Sequence, residues 1–292
     1  MDFSFVTIQI LSGLTWATVL FLVASGLTLI FGVVGVFNFA HGSFYMLGAY
    51  FAYELICSQV MNFWLGVGLA ILATGLAGGI MEYFFLKRLY GRTEEWAYQI
   101  LLTYSFILIL DDSVKMIWGS DFKTIPRPAA FIGSIPIGGW QIPSYYLFII
   151  IIGILIAGGI WLMLNKTRFG RIMRASAMDR EMVNAIGINV NRLLTITFGF
   201  ATALGGLSGA LAAPVRTVTP GTGGELIIES LIVVVLGGLG NFWGAWIGAM
   251  IIGQVTAFGI LFLPRWSILF IYVVMVVILI VRPEGLISEG DK

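Results

Sequence analysis

Residues 8 to 32 read IQILSGLTWATVLFLVASGLTLIFG, an apolar run without one charged side chain. A helix rises about 1.5 Å per residue, so about 20 such residues cross the roughly 30 Å of bilayer hydrocarbon. Comparable stretches follow at 36–57, 62–86, 96–117, 143–164, 193–213, 225–239, 243–262 and 266–281, nine in all. They predict an all-α polytopic membrane protein forming a single transmembrane domain over 1–292. Eight or ten spans remain open, because only Gly32-Val33-Val34-Gly35 divides the first two and the seventh is short. Composition agrees: 59% of the 292 residues are hydrophobic and 11% charged, against about a quarter charged in soluble domains.

Several functions are excluded at once. Sixteen Lys and Arg balance fifteen Asp and Glu, so no basic tail is available for nucleic acid. One cysteine, Cys57, and one histidine, His41, cannot assemble the usual Cys/His metal sites or an internal disulfide, so no bound metal or cofactor is expected. The sequence has no Gly-Lys step, which a phosphate-cradling G-x-x-x-x-G-K-[ST] loop requires, so this chain does not hydrolyse ATP by that route. G-x-S-x-G and H-E-x-x-H are absent too, and no enzymatic activity is expected. The N-terminal residues lack a positive region and a small-residue cleavage signal, which reads as a retained first span.

Positive residues stay on the cytoplasmic side. With the C-terminus inside, alternating spans place Lys87, Arg88, Arg92, Lys166, Arg168, Arg171, Arg174, Arg180, Arg192, Arg282 and Lys292 there, in a prokaryotic cell membrane. Trp16, Trp64, Trp96, Trp140 and Trp266 fall near expected span ends, where indole rings favour the headgroup region. Residues 118–142, with Pro126, Pro128, Pro136 and the adjoining Pro143, read as an extracytoplasmic loop.

The largest charged block, 166–192, lies inside by this count. Ala175, Met178, Met182 and Ala185/Ile186 recur at helical spacing from Arg171 onward, predicting one short amphipathic helix that ends at Gly187. Two readings fit. The helix lies on the membrane with its basic residues near anionic lipid. Alternatively Met178 and Met182 are adaptable knobs for a partner's groove, with Arg174, Asp179 and Arg180 setting register.

The run Gly26-Leu27-Thr28-Leu29-Ile30-Phe31-Gly32-Val33-Val34-Gly35-Val36-Phe37-Asn38-Phe39-Ala40-His41-Gly42, continuing to Tyr50, resembles the signature of the LivH-type permeases, membrane subunits of branched-chain amino acid ABC importers. Thr167-Arg168-Phe169-Gly170-Arg171 with Arg174-Ala175 and 185–190 resembles the family's cytoplasmic loop. Ala203 to Gly209 with Pro220 and Gly223 resembles its next span and outer turn, and Val233 to Gly240 with Gly244 and Gly248 its glycine-rich seventh span. The resemblance covers nearly the whole chain. It implies that Arg171, Arg174, Ala175, Met178, Asp179, Arg180, Met182 and Gly187 belong to a coupling helix seated on a cytoplasmic ATP-binding subunit, with ATP and Mg used by that partner alone. It also implies a second permease subunit, a LivM-type paralogue, and an extracytoplasmic solute-binding protein.

Asn38, His41 and Gly42 open the second span among glycines, and either line a pathway or gate or hydrogen-bond to a neighbouring helix. Glu225 and Glu229 sit in the first turns of the seventh span, where the helix dipole favours negative charge, or contact solute in passing. Glu229 is an acid the family pattern does not call for. Glu54 and Glu82 lie near span ends, within reach of headgroup water or of Lys87. Gly237, Gly238, Gly240, Gly244 and Gly248 permit close helix crossing, internally or against the second permease. An ion-coupled carrier, a passive channel and an ABC permease for urea, amides or aromatic acids remain the rival functions.

Overall fold

The computed structural model describes residues 3–91, 94–137 and 140–287; Arg92 and Lys292, two of the expected inner cations, lie outside the described residues. Helix α1 (Phe3–Leu29) is apolar on every face, as a helix enclosed on all sides must be, and it is packed by α5 (Ser144–Lys166), α8 (Val190–Ala212), α9 (Thr222–Gly237) and α10 (Phe242–Phe262). It widens into a π-helical turn at Ile30–Val34 and stops at Gly35, whose φ of 68° is the left-handed conformation. Short α2 (His41–Tyr53) follows, then α3 (Phe63–Phe84) and α4 (Glu95–Trp118). The last helix among the described residues is α11 (Ser267–Val281), in which only Ile271 is buried, as expected of a lipid-facing helix.

Each of the nine expected stretches contains a helix, but only six helices among the described residues are long and apolar enough to cross a membrane. The other three differ for separate reasons. Helix α2 has 13 residues before a π turn at Glu54–Ser58, and α9 has 16. Helix α4 is 24 residues long but carries Glu95, Asp111, Asp112 and Lys115.

The long helices pair reciprocally: α3 lies along α8 as α10 lies along α1, while short α2 and α9 pack on α8 and α1 respectively. Helix α1 ends, and α8 begins, at the end of the molecule that carries Lys166 to Arg192, here called the basic end. The units α1–α3 and α8–α10 therefore run in opposite senses, the arrangement of an inverted repeat. Glycines make the crossings possible. A Cβ on Gly206 would stand 2.0 Å from Thr74 Oγ1, and one on Gly78 2.0 Å from Thr202 Oγ1.

Two local expectations need correction. The amphipathic segment is two helices, α6 (Arg168–Met178) and α7 (Arg180–Ala185), because Asp179 leaves the helix with φ −153° and ψ 101° and its carboxylate caps Met182 N at 2.9 Å. Trp16 is no interfacial anchor. It lies deep within α1, 8% exposed, and donates to Glu229, whereas Trp64, Trp96 and Trp266 are exposed at helix ends as expected. Within the 118–142 loop, β1 (Ser134–Ile137) and β2 (Trp140–Pro143) form an antiparallel hairpin with Ser134 opposite Pro143. Lys123 bridges to Val218, tying this loop to the link between α8 and α9.

Candidate translocation pathway and coupling surface

Between Gly35 and Ala40 the backbone is non-helical and turns back into the protein. The depth follows from His41, whose Nε2 donates to Val23 O at 3.1 Å. Val23 lies eleven residues, about 16 Å of helix rise, back from Val34, so α2 begins well inside the molecule. Irregular backbone at such depth persists only where protein or a polar path covers it. The link is covered: Val36, Asn38 and Ala40 are buried, and Thr103 Oγ1 of α4 reaches Phe37 O at 3.4 Å.

The side chains here are polar and incompletely paired. Both amide atoms of Asn38 (1% exposed), His41 Nδ1 and Ser43 Oγ are buried without a hydrogen-bond partner. The His41 ring itself is seated between glycines: a Cβ on Gly26 would come within 2.8 Å of Nε2, and one on Gly205 within 3.4 Å. Gly42 serves a different purpose from its neighbours. Its added Cβ would lie 2.0 Å from Gly223 O, so the first turns of α2 and α9 touch backbone to backbone. Two helix N-termini, each carrying partial positive charge, thus meet in the interior.

Glu229 joins a second cluster. Its Oε2 accepts from Trp16 Nε1 at 3.0 Å, and the guanidinium of Arg216 lies 3.4 Å from the Trp16 ring centroid. Tyr45, buried on α2, is close enough to feel both charges. A carboxyl group at the edge and a guanidinium over the face therefore meet at one indole. Arg216, Trp16 and Tyr45 were not legible as a group, since no spacing connects α1, α2 and the turn after Pro214.

At the basic end, Met178 is 90% exposed and Met182 61%, with Ile186, Arg171 and Ala175 also exposed, whereas Met173 and Val183 face the protein. Gly187 takes φ 88° and ends the segment. Arg180 turns inward. Its Nη2 donates to Val34 O and to Val33 O (3.4 Å), and its guanidinium stands 6.0 Å from the Tyr90 ring. Tyr90 donates to the fully buried Glu82 at 3.1 Å, and Thr195 of α8 donates to the same carboxylate. Burial and the charge of Glu82 hold the Tyr90 phenol well above its ordinary range, so it keeps its proton and remains a donor. Glu82, for which headgroup water or Lys87 was expected, pairs directly with these hydroxyls, and Lys87 covers the neighbouring Tyr83 ring. Glu54 accepts from Trp118 and Gln59.

The glycine run lies inside the chain. A Cβ on Gly244 would stand 1.8 Å from Gly237 O, and one on Gly248 2.7 Å from Val233 O, so α9 and α10 cross at these positions. Gly238 and Gly240 take φ of 97° and 80° in the turn between them.

Residues 9–279 match the family described as branched-chain amino acid transport system / permease component. The chain belongs to this family. The permease BraD of the high-affinity branched-chain amino acid transport system of Pseudomonas aeruginosa is 30% identical over 97% of this chain and 96% of that protein. LivH of Escherichia coli strain K12, a permease of the same description, is 26% identical over the same shares. Among solved structures, PsaBC from Streptococcus pneumoniae in complex with Fab matches 97% of this chain and 94% of its own with a TM-score of 0.53 and 13% identity, which speaks to the fold alone. This permease component is thus a multi-pass membrane protein whose two distinctive regions are an interior meeting of short helices and an exposed apolar elbow.

Proposed function

We propose that this permease carries branched-chain or related amino acids inward across the cell membrane, powered by a separate ATPase docked on the α6–α7 elbow. The carrying observation is the continuity from that elbow to the interior. Exposed Met178 and Met182 offer knobs to a partner groove, and Arg180, between them in sequence, grips the carbonyls at the end of α1. From there six residues lead to His41. Arg171, Ala175, Asp179 and Gly187 complete the docking segment. Movement of the elbow then reaches Asn38 and His41, whose unpaired polar atoms suit a pathway that exchanges hydrogen bonds with solute or water. Gly42 acts beside them as the pivot on α9.

The cluster around Trp16 supports an amino acid over urea or an amide. A zwitterion presents a carboxylate for Arg216, which lies over the indole face, and an ammonium for Glu229, which meets the indole edge. The basic end faces the cytoplasm and the C-terminus lies with it. A second permease subunit and an extracytoplasmic binding protein complete the assembly. The driving partner acts by binding one state better than the other.

Reconstitution tests this reading. Vesicles holding the permease with its ATPase, partner permease and binding protein should take up labelled leucine only with ATP inside the ATPase compartment, and Met182→Asp should abolish that uptake while leaving insertion intact. Uptake by this chain alone under an ion gradient would replace the proposal with a secondary carrier. Flux without ATP and without binding protein would replace it with a channel.

A further inference from the structure

A groove of about 550 Å³ opens at the basic end between α1, α5, α6 and α10. Its wall is mostly apolar and aromatic, with Trp161 of α5 and Trp243 of α10 both in the lining, and Trp243 is half exposed. Two features make it more than a packing gap. Thr28, 3% exposed, lines it with a hydroxyl that has no hydrogen-bond partner. Arg174 stands at its mouth, held by Leu164 O and by Asn165 Oδ1 at 3.3 Å, which leaves guanidinium N–H groups uncommitted. Helix α6 and the two residues before it carry charge of one sign. Residues 166–178 contain Lys166, Arg168, Arg171 and Arg174 and no carboxylate.

We infer that this groove binds an anionic phospholipid, with the phosphate on Arg174 and an acyl chain between Trp161 and Trp243. Charge complementarity selects the occupant. A basic side chain at the end of a spanning helix sits at headgroup level, where it pairs with an anionic lipid, and the tryptophan-lined slot behind it takes hydrocarbon. A soluble anion would satisfy Arg174 and leave the aromatic wall uncovered. Helix α6 thus serves the membrane with Arg174 and Ala177, while Met178, at the rim of the same groove, stays 90% exposed beside α7. This inference does not depend on which solute is carried or on the ATPase.

The test uses the full chain purified in detergent, with retained lipid read by native mass spectrometry and stability by thermal midpoint. Phosphatidylglycerol should be retained about tenfold better than phosphatidylcholine, and Arg174→Gln should remove the preference. Arg171→Gln, which takes a cation from the same helix outside the groove, should keep it. Should Arg174→Gln fail to fold, Trp243→Ala keeps the charge and should weaken phosphatidylglycerol retention several-fold. The site is overturned by equal retention of the two lipids, by equal losses in the two arginine variants, by wild-type retention in Trp243→Ala, or by glycerol phosphate alone reproducing the full thermal shift.

Discussion

His41 and Gly42 are adjacent, yet their environments assign them opposite kinds of sensitivity. Replacing the imidazole of His41 by the Gln side chain, which comes close to filling the same buried space, puts at risk one hydrogen bond to Val23, about 0.5–1.5 kcal/mol. Adding a methyl group at Gly42 forces it against the Gly223 carbonyl, which is backbone and cannot rotate away; overpacking of this sort costs about 1–3 kcal/mol or more. His41→Gln should therefore lower uptake far more than thermal stability, and Gly42→Ala should do the reverse. Parallel uptake and thermal unfolding measurements on the two variants check the ranking. If His41→Gln loses stability and transport in proportion, its ring is only packing. Gly158→Ala, in open surroundings on α5, is the neutral comparison.

At the scale of elements, the break at Asp179 matters more than the amphipathic pattern that crosses it. A continuous helix would already place Arg180 on the face of buried Met173, seven residues back; the capped corner lets a second helix begin at Arg180 itself, whose guanidinium reaches the carbonyls of Val33 and Val34. Those carbonyls close α1, where the C-terminal end of a helix attracts a cation. Arg180→Gln keeps a donor but loses the charge, a change of about 1.5–3 kcal/mol for a charged hydrogen bond. The expected result is an assembly that still binds its ATPase and hydrolyses ATP while uptake falls about tenfold, the factor equivalent to about 1.4 kcal/mol. Loss of ATPase binding in this variant would place Arg180 at the docking surface after all. Helical spacing revealed the apolar knobs Met178 and Met182, because exposure follows period; it could not reveal the corner, because Asp179 is compatible with either a helix interior or a cap.

Across the whole molecule, two oppositely directed units bring the starts of α2 and α9 together in the interior. That arrangement requires the basic segment 166–192 and the 118–142 loop to lie on opposite faces of the membrane. In a Cys57→Ala background, Ile186→Cys should react with an impermeant maleimide only from the cytoplasmic side and Phe122→Cys only from outside, since both positions are exposed. Labelling of both from one side would reject the topology.

Apolar length was enough to read an all-α membrane protein, and 166–192 was legible as its largest charged block, because transfer from water to hydrocarbon depends on composition over a helix length. The Asn38-Phe39-Ala40-His41-Gly42 run was enough to read the family. Three matters were decided only in three dimensions. They are the short buried start of α2, the inward turn of Arg180, and the seating of Trp16 between Arg216 and Glu229. Each joins residues from separate helices, and hydropathy is a sum along one segment. Which partner a polar side chain finds depends on which helices cross, and glycine backbones such as those of Gly42 and Gly223 settle that by allowing an approach no other residue permits.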